Sequence, residues 1–234
     1  MTLTAALFDL DGTLFDHHGS AVAGLRTWLG RSLTDELVDL WFAAEAEHYQ
    51  AWLDGTVTHA EQRRRRLRAF LPALGTPVPA TDAELDTLYA DGYLAAYRQA
   101  WCGYDDEVAT LTALRDAGLR TGVLTNGTAA QQNAKVRALG LAHLLDVVVS
   151  ADELGAAKPD PRAFHEACRR LGSEPEETVY VGDDHVVDVL GAQAAGLRAV
   201  HIVRTPGATA TDGQILTLHD LPAYLDQRPV KPSQ

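Results

Sequence analysis

The segment Phe8-Asp9-Leu10-Asp11-Gly12-Thr13-Leu14 constrains this chain more than any other, because it sets two carboxylates two residues apart where an apolar strand runs into a glycine turn. In extended backbone, residues i and i+2 point to the same side, so Asp9 and Asp11 can face one ligand. Gly12 lets the chain turn sharply without a Cβ clash. One carboxylate can attack an electrophile while the other moves a proton. Asp-Gly after a strand is also an ordinary turn signal, so the segment alone leaves loop and site both open.

The segment resembles the first motif of the haloacid dehalogenase (HAD) superfamily, most of whose members are phosphatases. The resemblance implies three further motifs in fixed order, and candidates for each are present. A hydroxyl closes the run Leu119-Arg120-Thr121-Gly122-Val123-Leu124-Thr125, which passes through Asn126-Gly127 into a loop. A lysine stands in the proline-bounded turn Lys158-Pro159-Asp160-Pro161, ahead of a helical pattern from Arg162 to Cys168. Acids follow the apolar run Thr178-Val179-Tyr180-Val181-Gly182 as Asp183 and Asp184, with Asp188 beyond. Each piece alone is weak, since Thr-Asn-Gly is turn chemistry and most lysines are solvated. All four fall at the carboxyl end of a predicted strand or in the next loop, the edge where open α/β sheets bind ligands.

Between the first and second motifs, from about Asp16 to Ala100, no strand alternation occurs. Helical patterns cover 21–29, 35–53, 58–71 and 82–97, and Thr58-x-x-Glu61 and Thr81-x-x-Glu84 read as capping boxes. Strand and helix patterns then alternate: helix at 105–117, the Thr125 strand, helix at 129–139, strand at 145–149, the Asp183 strand, helix at 186–195 and strand at 198–203. Alternation of this kind predicts a parallel sheet covered on both faces. The expected fold is therefore α/β: a Rossmann-like, doubly wound parallel sheet core (residues 1–15 and 101–234) with an all-helical insertion (residues 16–100), which the resemblance implies is a cap domain of the helical-cap branch. The tail from Gln227, with Pro229 and Pro232, is expected to fray.

Twenty Lys and Arg against 32 Asp and Glu make the formal charge −12, which argues against nucleic acid as a partner. The basic run Arg63-Arg64-Arg65-Arg66 lies in a helical pattern and spreads over about 300°; it reads as a solvated helix face paired with acids. No apolar run approaches the roughly 20 residues that span a bilayer, and the N-terminus lacks a signal-peptide pattern. The expected location is cytoplasmic, with no membrane partner. Cys102 and Cys168 make no disulfide framework.

By resemblance, Mg²⁺ is the cofactor, held by the Asp9 carboxylate, the Asp11 main-chain carbonyl and Asp183, with Asp188 placed ahead of Asp184 as helper. For Asp184, capping of the next helix and a metal role weigh equally. Asp9 would be the nucleophile that forms an aspartyl-phosphate and Asp11 the acid and base. Thr125, the backbone at Asn126 and Lys158 would bind the phosphoryl oxygens. The implied activity is hydrolysis of a small-molecule phosphate ester.

Sister activities are judged on single residues. Dehalogenases need no metal or second acid, yet Asp11 and Asp183 are present. Phosphonoacetaldehyde hydrolases use a cap lysine, whereas the lysines here are Lys135, Lys158 and Lys231. Sugar phosphomutases keep all four motifs, which leaves a mutase as the alternative, but they carry a hinge histidine where this chain has Ala21, which weakens it. A non-catalytic binding protein on the same fold is a lesser one. His17 and His18 read as a solvated hinge in extended chain.

Overall fold

The computed structural model describes residues 2–227; from the tail expected to fray, residues 228–234 lie outside the described part. In chain order the elements are β1 (Ala5–Phe8), α1 (His17–Leu29), α2 (Asp35–Leu53), α3 (His59–Phe70), α4 (Asp82–Thr87), α5 (Ala95–Gln99), α6 (Glu107–Asp116), β2 (Arg120–Thr125), α7 (Ala129–Ala138), β3 (Val147–Ser150), α8 (Ala151–Leu154), α9 (Pro161–Leu171), β4 (Thr178–Gly182), α10 (Gly191–Ala194), β5 (Arg198–Ile202), β6 (Gln214–Ile215) and α11 (Leu221–Gln227). They form two compact units, one of Met1–His17 with Cys102–Gln234 and one of His18–Trp101.

The first unit is an α/β sheet of six strands in the order β3-β2-β1-β4-β5-β6, every pairing parallel. Strands buried on both faces need apolar side chains on both, and β1 and β4 are buried throughout. Phe8 lies level with Val123 on one side and Val181 on the other. The chain beyond β1, β2 and β4 therefore emerges at one edge, where the order reverses between β1 and β4 and a crevice opens. Behind this edge, α9 packs Ala163, Phe164, Ala167, Cys168 and Leu171 onto Leu7, Leu124, Val149 and Tyr180. The Phe164 and Tyr180 rings meet edge to face at 5.1 Å. Each such fully buried large side chain contributes about 1.5–3 kcal/mol.

The second unit is all helical. Thr81 and Glu84 form a reciprocal capping box. At Thr58 only half of one forms: its hydroxyl accepts the Glu61 N–H, while the Glu61 carboxylate instead pairs with Arg64, Arg65 and Arg68. Between α4 and α5 the helix runs through π-helical turns at Leu88–Leu94. The basic run departs from expectation at one position. Arg64 and Arg65 pair with acids, but Arg66 is buried, 2.9 Å from Glu45 and 4.4 Å over the Trp41 ring. The reason is helical phase: Gln62, Arg66, Leu67 and Phe70 form the inward face of α3. A buried guanidinium needs a partner, and Glu45 supplies one.

His17 and His18 also differ from expectation, since they form the first turn of α1 rather than an extended hinge. His18 stacks on Phe42 at 4.6 Å. Ala21 is buried in the same helix. Among the described residues no helix is long and apolar enough to cross a membrane. Cys102 is exposed and Cys168 is buried, and neither is bridged.

Candidate active site

Asp9 follows β1 directly, and its N–H donates to the Val181 carbonyl at 2.9 Å. The ladder is thus extended by one residue, which sets the Asp9 side chain against Lys158. Gly12 then turns the chain at φ +85°. Two demands meet there: the positive φ, and the Asp183 carboxylate, which lies where a Cβ on Gly12 would be. Gly182 is constrained the same way, because a Cβ on it would run into the Asp188 side chain.

Lys158 is at the centre. Its buried ammonium donates to Asp9 Oδ1 at 2.6 Å, Asp188 Oδ1 at 2.7 Å and the Tyr180 hydroxyl at 2.8 Å. The Tyr180 hydroxyl in turn donates to the Leu124 carbonyl at 2.9 Å. The Asn126 side chain grips the Lys158 backbone from both sides, accepting from Lys158 N–H at 2.8 Å and donating to its carbonyl at 2.9 Å. That amide therefore holds the lysine loop in place.

Carboxylate oxygens of Asp9, Asp183 and Asp188 lie within 4.8 Å of one another. Asp184 stands apart, its carboxylate accepting the N–H groups of Val186 and Val187 at 2.8 Å. The π-helical turns His185–Leu190 carry Asp188 inward, where it is 1% exposed. Burial pushes Asp9 well above the ordinary aspartate range against the pull of Lys158, with Asp188 and Asp183 adding repulsion. Asp183 is pushed up to about 7, by the protein packed round its carboxylate and then by Asp188. Burial would lower Lys158, but Asp188 and Asp9 outweigh it and hold the ammonium above the ordinary lysine range. Three carboxylates facing one ammonium leave the cluster short of positive charge.

The Thr125 hydroxyl accepts from Gln132 Nε2 at 2.8 Å and from Gly127 N–H at 3.3 Å. With both lone pairs engaged, its proton remains for a ligand oxygen. Asp11 lies beside it. Gln132 Nε2 donates to Asp11 Oδ2 at 2.6 Å, and the ammonium of buried Lys135 contacts Oδ1. His17 Nδ1 is 4.0 Å from the same oxygen. Burial would raise Asp11, but Lys135, His17 and the two hydrogen bonds hold it below the ordinary range. Neither Gln132 nor Lys135 was singled out from sequence as a site residue. One signal was available: only three of the chain's twenty basic residues are lysines, and two of the three sit here.

The fold is thus a parallel α/β sheet that gathers the buried carboxylates of Asp9 and Asp188 around Lys158 at its carboxyl edge. The chain belongs to the haloacid dehalogenase-like hydrolases, whose family pattern matches residues 3–196. It is 34% identical over 204 residues to the glyceraldehyde 3-phosphate phosphatase of Methanopyrus kandleri, covering 86% of this chain and 84% of that protein. It is 33% identical over 203 residues to the (S)-2-haloacid dehalogenase 4A of Burkholderia cepacia, covering 87% and 84%. Among solved structures, the HAD-hydrolase YfnB of Bacillus subtilis, bound to magnesium, superimposes with a TM-score of 0.80 at 22% identity, over 97% of this chain and 100% of that one.

Proposed function

We propose that the protein is a Mg²⁺-dependent phosphatase that hydrolyses a small soluble phosphate monoester through an aspartyl-phosphate on Asp9. The observation that carries this is the convergence of Asp9, Asp183 and Asp188 on a site where burial first, and the repulsion among these carboxylates after it, raises Asp9 and Asp183. Hard oxygen donors with unbalanced charge suit Mg²⁺, which takes carboxylates together with water and substrate phosphate. Asp9, Asp183 and the Asp11 carbonyl would hold it, with Asp188 assisting. Bound there, the cation would mask the repulsion between an anionic nucleophile and an anionic phosphoryl group.

The chain's own groups then divide the work. An Asp9 oxygen attacks phosphorus. Asp11 protonates the leaving oxygen and later takes a proton from the water that cleaves the acyl phosphate. The Thr125 hydroxyl, the Asn126 backbone N–H and the Lys158 ammonium bind the equatorial oxygens as negative charge spreads over them. The helical insertion, residues 16–100, is the proposed source of substrate selection.

A panel of phosphomonoesters, 4-nitrophenyl phosphate included, tests this by released phosphate with and without Mg²⁺. Mg²⁺-dependent release that chelator abolishes is expected. Metal-independent turnover would overturn it, and so would halide release from an (S)-2-haloacid without phosphatase activity. Conversion of a sugar phosphate to its isomer with almost no free phosphate would establish the mutase instead.

A further inference from the structure

On α7, Gln132 and Lys135 stand three residues apart and so share one helix face. Both are buried, 1% exposed each. Gln132 uses a single amide nitrogen for two acceptors, Thr125 Oγ1 at 2.8 Å and Asp11 Oδ2 at 2.6 Å. Its carbonyl oxygen is left buried without a hydrogen-bond partner. Native proteins rarely tolerate that at a position chosen for stability. Turning the amide over would set its oxygen against the Asp11 carboxylate, which the observed orientation avoids. Lys135 takes the other carboxylate oxygen, and its ammonium lies 4.4 Å from the centre of the Phe15 ring, which leaves it little freedom to move away.

We propose that Gln132 and Lys135 are positioning residues that pin both oxygens of Asp11, so that this carboxylate meets the proton it transfers in register with the phosphoryl-binding hydroxyl of Thr125. Gln132 ties the two groups together through one rigid amide, and Lys135 stops the carboxylate from rotating about its Cβ–Cγ bond. Gly127 fits this arrangement, since a Cβ there would strike the Gln132 side chain. The inference rests on the acid–base role proposed for Asp11, and the experiment separates the two.

kcat/KM is measured with Mg²⁺ on 4-nitrophenyl phosphate, whose leaving group departs unaided, and on phenyl phosphate, whose leaving group needs a proton. The proteins compared are wild type, Asp11→Asn, Gln132→Leu, Lys135→Met and each of the last two combined with Asp11→Asn. Gln132→Leu and Lys135→Met should each lose roughly 10-fold more on phenyl phosphate than on 4-nitrophenyl phosphate, a part of the about 10²–10⁴-fold span of acid–base catalysis. Added to Asp11→Asn, neither should cost anything further. A loss of equal size on both esters, or one undiminished in the Asp11→Asn background, marks a merely structural role and overturns the inference. If Asp11→Asn itself loses no more on the poorer leaving group, the acid–base role falls and the inference with it. Gln132→Met and Lys135→Gln are read the same way should either first choice fail to fold.

Discussion

Replacing Asp183 by asparagine should stabilise the metal-free protein at pH 8 while abolishing its response to Mg²⁺. Asp183 is pushed up to about 7 by crowding and by Asp188, so between the unfolded value of about 3.9 and 7 the folded state binds the proton that the unfolded state has released. Stability from this group is present below pH 4 and lost as pH rises through 7. Taken at face value, the displacement corresponds to ~4 kcal/mol at 1.36 kcal/mol per decade. Asp183 is exposed, and solvent screening reduces this to about 1 kcal/mol or less.

Asp183→Asn keeps the shape and removes the charge, so the variant should match wild type near pH 3.5, exceed it by about a third of that amount at pH 5 and by all of it at pH 8. In urea with chelator, that is a midpoint rise at pH 8 of up to about 0.5 M for a slope of about 2 kcal/mol/M. Mg²⁺ should reverse the order at pH 8, since a ligand at about 100 times its Kd adds ~2.7 kcal/mol to wild type and little to the variant. At pH 5 the cation competes with the proton and its effect on wild type should shrink. A metal-free variant no more stable than wild type at pH 8, or an equal Mg²⁺ effect at both pH values, would refute the reasoning.

Asp9→Asn should be inactive in phosphate release, because an amide cannot form the acyl phosphate, whereas Asp11→Asn should lose about 10²–10⁴-fold in kcat. Tyr180→Phe removes the hydroxyl that accepts from Lys158 and donates to the Leu124 carbonyl, and should cost about 1–3 kcal/mol in urea unfolding followed by far-UV circular dichroism. Thr81→Ala breaks the capping box of α4 and should cost ~1 kcal/mol. Tryptophan fluorescence reads that loss directly, since Trp28, Trp41, Trp52 and Trp101 all lie in the helical unit.

The strands that matter were legible because each is a short apolar run ended by a residue with a strong local preference: Gly12 after β1, Asn126-Gly127 after β2, Gly182 as β4 closes. Strand β6 was not, since two residues carry no periodicity. Arg66 could have been found inward from its phase with Leu67 and Phe70, but a run of four arginines suggests solvent first. In sequence, only the family resemblance placed Asp188 ahead of Asp184, since no local pattern separates them. The π-helical turns separate them in space, one on backbone N–H groups and the other against Lys158.

What the sequence determined by itself was the family, the parallel α/β architecture and the order of chemistry-bearing groups along one sheet edge. Those follow from side-chain periodicity and turn preference, which act over a few residues. Only the tertiary structure decided which oxygen meets which cation. Asp11 and Gln132 are 121 residues apart in sequence, and Asp9 and Lys158 are 149 apart. Their meeting depends on the register of β1 with β2 and β4 and on the faces that the following helix and loop present. Contacts of that range are settled by packing of the whole unit, and no local pattern encodes them.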